Sequence, residues 1–225
     1  IPPVEGIRRP QPRALAGKSF ALLLPLCGVA CALLLAAAAQ NSQPVHDSVG
    51  NSLWLGLCSA AIGAVICLLW LALGPSRFGE WIWLPLILPA LPLVDGQYQL
   101  ALYTWLDGER LTVLWGHLLW VVPWMLFILR PAWRARDPRA ELVARTLGWQ
   151  RGRIFWLVPL PALTRPLLTA LAVGFSVSIA QYLPTLWLGG GRVATLTSEA
   201  VALSSGGDTS TLAAQALWQP LLPAL

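Results

Sequence analysis

FALLLPLCGVACALLLAAAA, residues 20–39, carries no charge anywhere along its length. At 1.5 Å of rise per residue, a helix this long covers about 30 Å, the thickness of the hydrocarbon core of a bilayer. A cleavable signal peptide has an apolar core of only about 7–15 residues, and further apolar runs follow this one. Reading outward, the whole chain repeats the pattern. Of its 225 residues 56% are hydrophobic and 11% charged, whereas soluble domains carry about 25% charged residues. In lipid a spanning segment must satisfy its own backbone hydrogen bonds, so the runs are read as helices. Barrel strands would be shorter and would alternate polar with apolar residues.

The apolar runs place spans at about 19–40, 51–73, 82–105, 111–129 and 162–188, with a further one from 211 onward. The expected fold is all-α: a polytopic transmembrane helix bundle of about six spans, preceded by a tail or linker over 1–17 and forming a membrane domain over 18–225. The chain lacks a starting Met and stops inside an apolar segment, 217–225, so a C-terminally truncated domain of a longer polypeptide is expected.

Lys and Arg set the orientation, because they accumulate on the cytoplasmic side. With the N-terminus inside, Arg110 and Arg192 alone of the 15 basic residues fall on the outside. The segment 130–161, rich in Arg, then lies in the cytoplasm. Its sequence cannot span, since each Arg at the centre of a membrane helix costs about 2.5–3.5 kcal/mol. This bias accounts for the net charge of +5, and no nucleic-acid partner is needed to explain it.

That segment is patterned beyond what a turn requires. Asp137 can cap a helix, Pro138 suits a first turn, and Glu141 places negative charge near a helix N-terminus. Val143 and Leu147 lie one turn apart, with Ala140 on the same face. Gly148 permits a bend. A second short segment over 151–158 contains Ile154, Phe155 and Val158, and Leu160-Pro161 opens the next span. A bent amphipathic pair of this kind suits insertion into a groove on another protein; an ordinary juxtamembrane helix resting on anionic membrane lipid is the plainer alternative.

Ala144, Leu147, Gly148, Phe155, Val158, Leu160 and Pro161 resemble the cytoplasmic EAA loop of the permease subunits of binding-protein-dependent ABC importers of the type I kind. The spacing from Gly148 to Leu160-Pro161 matches, and Arg165-Pro166 follows. Glu141 stands one residue ahead of the position of the family's Glu. The resemblance implies a coupling loop over about 133–161, with Glu141, Val143, Ala144, Leu147, Gly148, Phe155, Leu160 and Pro161 contacting a cytoplasmic ABC ATPase dimer. It also implies a second permease domain, as a homodimer or the other half of a fused chain, and a periplasmic or other external substrate-binding protein. The location implied is a bacterial inner membrane. ATP would be bound by the partner rather than by this chain, which has no GxxxxGK[ST] phosphate loop.

Polar residues at membrane depth point to a pathway or a partner. In the third span Asp95 and Gln97 follow WIWLPLILPALPLV; either Asp95 opens an outer loop or, as the resemblance implies, the helix continues through to Trp105, which makes both candidates for the translocation path. Pro85, Pro89 and Pro92 are expected to kink that span. Ser176, Gln181 and Tyr182 in the fifth span are further path candidates, from the resemblance. Ala170, Gly174 and Ser178, like Gly56, Ala60 and Ala64, form stripes of small residues suited to close helix packing. His117 is read as hydrogen-bonded to a neighbouring helix. Thr195 to Ala202 reads as a short helix between glycines; the resemblance implies a partly re-entrant gate there, and a flexible outer loop is the plainer alternative. Cys27, Cys31, Cys58 and Cys67 read as packing residues, without a completed metal-ligand set. Trp54, Trp70, Trp81, Trp83, Trp105, Trp133, Trp187 and Trp218 form an interfacial belt. An ion-coupled secondary transporter using Asp95 and His117 is the alternative function; a membrane-embedded enzyme has no nucleophile–base set to support it.

Overall fold

The computed structural model describes residue 33 and residues 46–73, 81–205 and 209–224. The tail over 1–17, the span over 19–40 with Cys27 and Cys31, and Arg77 lie outside these residues. Among the described residues every regular element is helical. We number them α1 (His46–Leu73), α2 (Leu84–Ile87), α3 (Ala90–Tyr103), α4 (Arg110–Arg134), α5 (Arg139–Thr146), α6 (Arg151–Leu157), α7 (Pro159–Ala162), α8 (Thr164–Ile179), α9 (Leu183–Gly189), α10 (Leu196–Ser204) and α11 (Thr209–Ala224).

α1 and α4 are long and apolar enough to cross a membrane as single helices. α4 runs past the expected end at 129 to Arg134, tolerating Pro123 and Pro131 within it. The expected span over 82–105 is instead broken. Leu88 is extended, with ψ 149°, because the ring of Pro89 excludes the helical conformation from the residue before it. The helix restarts at Ala90 and continues through Asp95 and Gln97 to Tyr103. Pro92 falls in its first turn, where the missing N–H costs nothing.

The expected single span over 162–188 is likewise two helices. α8 ends at Ile179, and α9 restarts with Pro184 in its first turn. Had the helix continued, the Pro184 ring would have met the carbonyl of Ala180. At its other end α8 meets the preceding helical segment, Gly152–Ala162, at 76°. Leu160-Pro161 thus lies in a separate turn of helix, α7, before that bend.

α1, α4 and α8 pack on one another and form the centre of the bundle. Met125 of α4 is fully buried there among Ala64, Cys67, Val121, Leu129 and Ala170. Its Sδ lies between two glycines: an added Cβ would stand 2.8 Å from it at Gly63 and 2.7 Å at Gly174. Lipid tails are as apolar as leucine, so association rests on close packing, and small residues let the backbones approach. The stripe Ala170, Gly174 and Ser178 is buried throughout, and so are Gly56, Ala60 and Ala64. α9 bridges α3 and α4, and α10 packs on α11 and α1.

The N-termini of α1 and α4 lie at the same end of the bundle, where Asp47 and Arg110 share a cavity. Their C-termini meet at the other end, where Leu73 and Trp133 line a second cavity beneath α5, α6 and α7.

Candidate functional site: the helical elbow and the polar core

The elbow over 135–162 is built by local rules. Asp137 Oδ1 accepts a hydrogen bond from the backbone N–H of Arg139, the first residue of α5, at 2.9 Å, just ahead of the N-cap Pro138. α5 ends in a left-handed residue, Gly148, at φ +75°. The Trp149 N–H reaches back to the Ala144 carbonyl at 3.1 Å, and the Gly148 N–H to the Arg145 carbonyl at 3.0 Å. These are the paired bonds of a Schellman cap, and a glycine adopts the required conformation without a Cβ clash. The chain then turns directly into α6.

The elbow is also tied to α4. The Arg136 guanidinium lies 3.4 Å above the Trp133 ring, and its Nε donates to the Trp133 carbonyl at 2.9 Å. The same guanidinium pairs with Glu141, and Arg145 approaches Glu141 from the far side at 4.0 Å. Glu141 is therefore engaged inside the chain. A planar guanidinium stacked on an aromatic ring and bonded to a carboxylate holds α5 at a set angle to α4.

The sequence-predicted loop residues divide between two faces. Ala144 is buried, and Phe155 and Leu160 line the cavity of about 510 Å³ between the elbow and the end of α1. Val143 and Leu147 point away from the bundle, 58% and 66% exposed, with Leu142 beside them at 57%. Gly148 and Pro161 are exposed. Leu142 and Arg136 were not singled out by sequence reasoning. Leu142 is legible as a neighbour of Val143 on the apolar stripe. Arg136 is not, because its partner lies five residues on, across a turn, beyond the one-turn spacing of helical ion pairs.

A second polar constellation lies within the bundle. His117 of α4 is 1% exposed. Its Nδ1 lies 2.8 Å from Ser178 Oγ on α8, and its Nε2 lies 2.9 Å from Thr185 Oγ1 on α9. Thr185 Oγ1 in turn donates to the Gln181 carbonyl at 2.9 Å. Ser59 Oγ of α1 stands 3.3 Å from Ser178 Oγ, and the Gln181 side chain donates to the His117 carbonyl at 3.2 Å. Four helices thus meet through one histidine. Ser178 appears in the sequence only as a small residue in a packing stripe, and nothing local marks Ser59 or Thr185 as its partners.

The candidate path residues are not gathered into one cavity. Asp95 is exposed on α3, while Gln97, two residues on, is buried on another face. Ser176 donates to the Ala172 carbonyl at 2.8 Å within its own helix. Tyr182 is half-buried at the start of α9. Gln97 Oε1 and Gln181 Oε1 are buried acceptors that no group reaches among the described residues. Thr195 accepts from the Ser198 N–H in a reciprocal capping box, so the expected short helix forms as α10.

The model of the family described as binding-protein-dependent transport system inner membrane component matches residues 19–218, which include the elbow and the polar core. The chain belongs to that family. It is 57% identical, over 223 residues, to the inner membrane ABC transporter permease protein YnjC of Escherichia coli (strain K12). The match covers 99% of this chain and 44% of YnjC, so the chain spans less than half the length of that relative. Membership makes it an all-helical inner-membrane transport component. It gives no support to an ion-coupled carrier, and His117, the proposed coupling group, has both ring nitrogens occupied within the bundle.

Proposed function

We propose that the chain forms a transmembrane permease unit of an ATP-driven solute importer. In this reading the elbow lies in the cytoplasm and carries the stroke of a separate ABC ATPase into α8. The carrying observation is the outward apolar face of Leu142, Val143 and Leu147 on a helix otherwise immobilised by Arg136, Glu141 and the Gly148 cap. Three large apolar side chains in water at a cytoplasmic surface are a poor arrangement unless a partner's groove buries them. Each side chain so buried contributes about 1.5–3 kcal/mol. Fixed to α4 at one end and continuous with α8 through a 76° bend at the other, the elbow transmits displacement instead of absorbing it.

ATP is bound by the partner and not by this chain. A second permease domain, a copy or another part of a longer chain, and an external substrate-binding protein complete the assembly. Asp95, Gln97, Ser176, Gln181 and Tyr182 are the candidate path groups. Gln97 and Gln181 carry most weight, because an unpaired buried acceptor costs about 1–3 kcal/mol, which a hydrogen-bond donor on a passing solute would offset.

Cysteine at Val143 or Leu147, in the full-length permease assembled with its ATPase, tests the reading. An oxidative crosslink to a cysteine in the ATPase groove is expected, with a yield that changes between nucleotide-free and ATP-bound states. Absence of any crosslink, or labelling of Val143→Cys from outside intact cells, refutes it.

A further inference from the structure

Arg110 and Arg192 are far apart in the sequence and are the basic residues that the orientation proposed above leaves outside. The structure brings them together. Both line an open cavity of about 640 Å³ at the end of the bundle opposite the elbow, together with Asp47, Asn51, Trp54 and Ala194. Both are exposed, and among the described residues no carboxylate forms an ion pair with either.

The seat is built rather than loose. Asn51 of α1 donates to the Ala194 carbonyl at 2.9 Å, and the Gly108 N–H donates to the Leu188 carbonyl at 2.8 Å. The segment carrying Arg192 is thereby pinned from two sides. The Arg192 side chain lies against Gly108, where a methyl group would come within 2.7 Å of its Nη1. Gly108 holds φ +76°, a conformation other residues adopt only with strain. Asp47 lines the same cavity, and Asp107 and Glu109 flank Gly108, against which Arg192 lies. Two guanidiniums lining one cavity, on the side from which the proposed orientation otherwise excludes basic residues, form a localised positive spot. Asp47 inside the cavity reduces its net charge, which favours a monoanionic carboxylate over a phosphate dianion.

We infer that Arg110 and Arg192 form a two-guanidinium seat for a carboxylate side chain presented by the external binding protein. This rests on the importer reading and its orientation. Guanidiniums bind carboxylates through paired N–H bonds, so the seat fixes rotation as well as position. The surrounding carboxylates repel a misplaced acidic surface, which gives the docking its register.

The test uses the full-length permease with its ATPase in nanodiscs of neutral lipid and the transporter's own purified binding protein. For Arg110→Glu/Arg192→Glu the affinity is expected to fall about tenfold or more, with slower association and a flattened dependence on salt. Basal ATPase activity should be retained, showing an assembled complex. Arg110→Lys/Arg192→Lys should keep part of the affinity and become linkable to the binding protein by a carbodiimide, which joins a lysine amine to a carboxylate with loss of water. If wild type binds and the Glu variant binds equally with the same salt dependence, the inference is wrong and the importer reading stands. An effect confined to nanodiscs of anionic lipid would assign the seat to a headgroup phosphate and overturn it too. If wild type itself neither binds nor responds to the binding protein, the importer reading fails.

Discussion

Met125 lies between glycines of two different helices, and the consequence of filling that space can be worked out. An alanine Cβ at Gly174 would stand 2.7 Å from Met125 Sδ and 3.0 Å from its Cγ; at Gly63 it would stand 2.8 Å from Sδ and 3.1 Å from a Val121 methyl. Ordinary heavy-atom contact is about 3.5–4.0 Å, so each methyl overlaps by about 1 Å. Overpacking of this order costs about 1–3 kcal/mol. Alanine also returns about 1 kcal/mol of helix propensity, which leaves a single variant about 0–2 kcal/mol less stable. A flexible thioether can swing away from one intruding methyl, but the room on the other side is the second glycine. Gly63→Ala/Gly174→Ala removes that escape, so the double variant should exceed the sum of the singles, with a coupling of about 0.5–3 kcal/mol. The propensity gain cancels in this cycle. In a Met125→Ala background the sign reverses: each methyl refills part of the cavity, and Gly174→Ala becomes neutral or stabilising. Thermal inactivation of the purified complex, with denaturant titration in mixed micelles, measures all of these. Additive singles, together with an undiminished penalty in the Met125→Ala background, would refute the three-helix contact on which the centre of the bundle rests.

Arg136→Ala should remove the stack on Trp133 and the pair with Glu141, at about 1–2 kcal/mol. If the proposed importer reading holds, the substitution should lower solute uptake more than thermal stability, with Arg136→Lys only a partial substitute; unchanged uptake in reconstituted vesicles would show that the tie does not set the elbow. His117→Leu should destabilise the complex by about 1–3 kcal/mol, because the Ser178 hydroxyl is left short of a buried partner. Adding Ser178→Ala should then cost little or recover stability. A melting temperature unchanged by His117→Leu would count against the polar junction.

Much of this architecture is local and therefore readable. Apolar length marks α1 and α4 as spans because the bilayer penalises charge residue by residue. The Gly148 bend and the helices flanking it follow from capping chemistry within a few positions. The kink near Pro89 also follows locally, although its full extent, an extended Leu88 that splits the span, appears only when the chain is built. Pro184 carries the same signal, and the long apolar run around it masked the break between α8 and α9.

The sequence by itself determined which stretches are apolar and helical, and that Gly148 and the prolines near Pro89 interrupt them; the break at Pro184 and the full length of α4 emerged only in the structure. The readable features depend on hydropathy, charge and backbone conformation, all of which act over one or two turns. Only the tertiary structure decided which face of each helix is turned inward. A helix presents every direction within four residues, and the choice among them is made by its neighbours. That choice placed Met125 between Gly63 and Gly174, joined His117 to Ser178 and Thr185, and engaged Glu141 with Arg136 while leaving Val143 and Leu147 outward. It also brought Arg110 and Arg192 to one cavity from opposite parts of the chain, a proximity that no local pattern encodes.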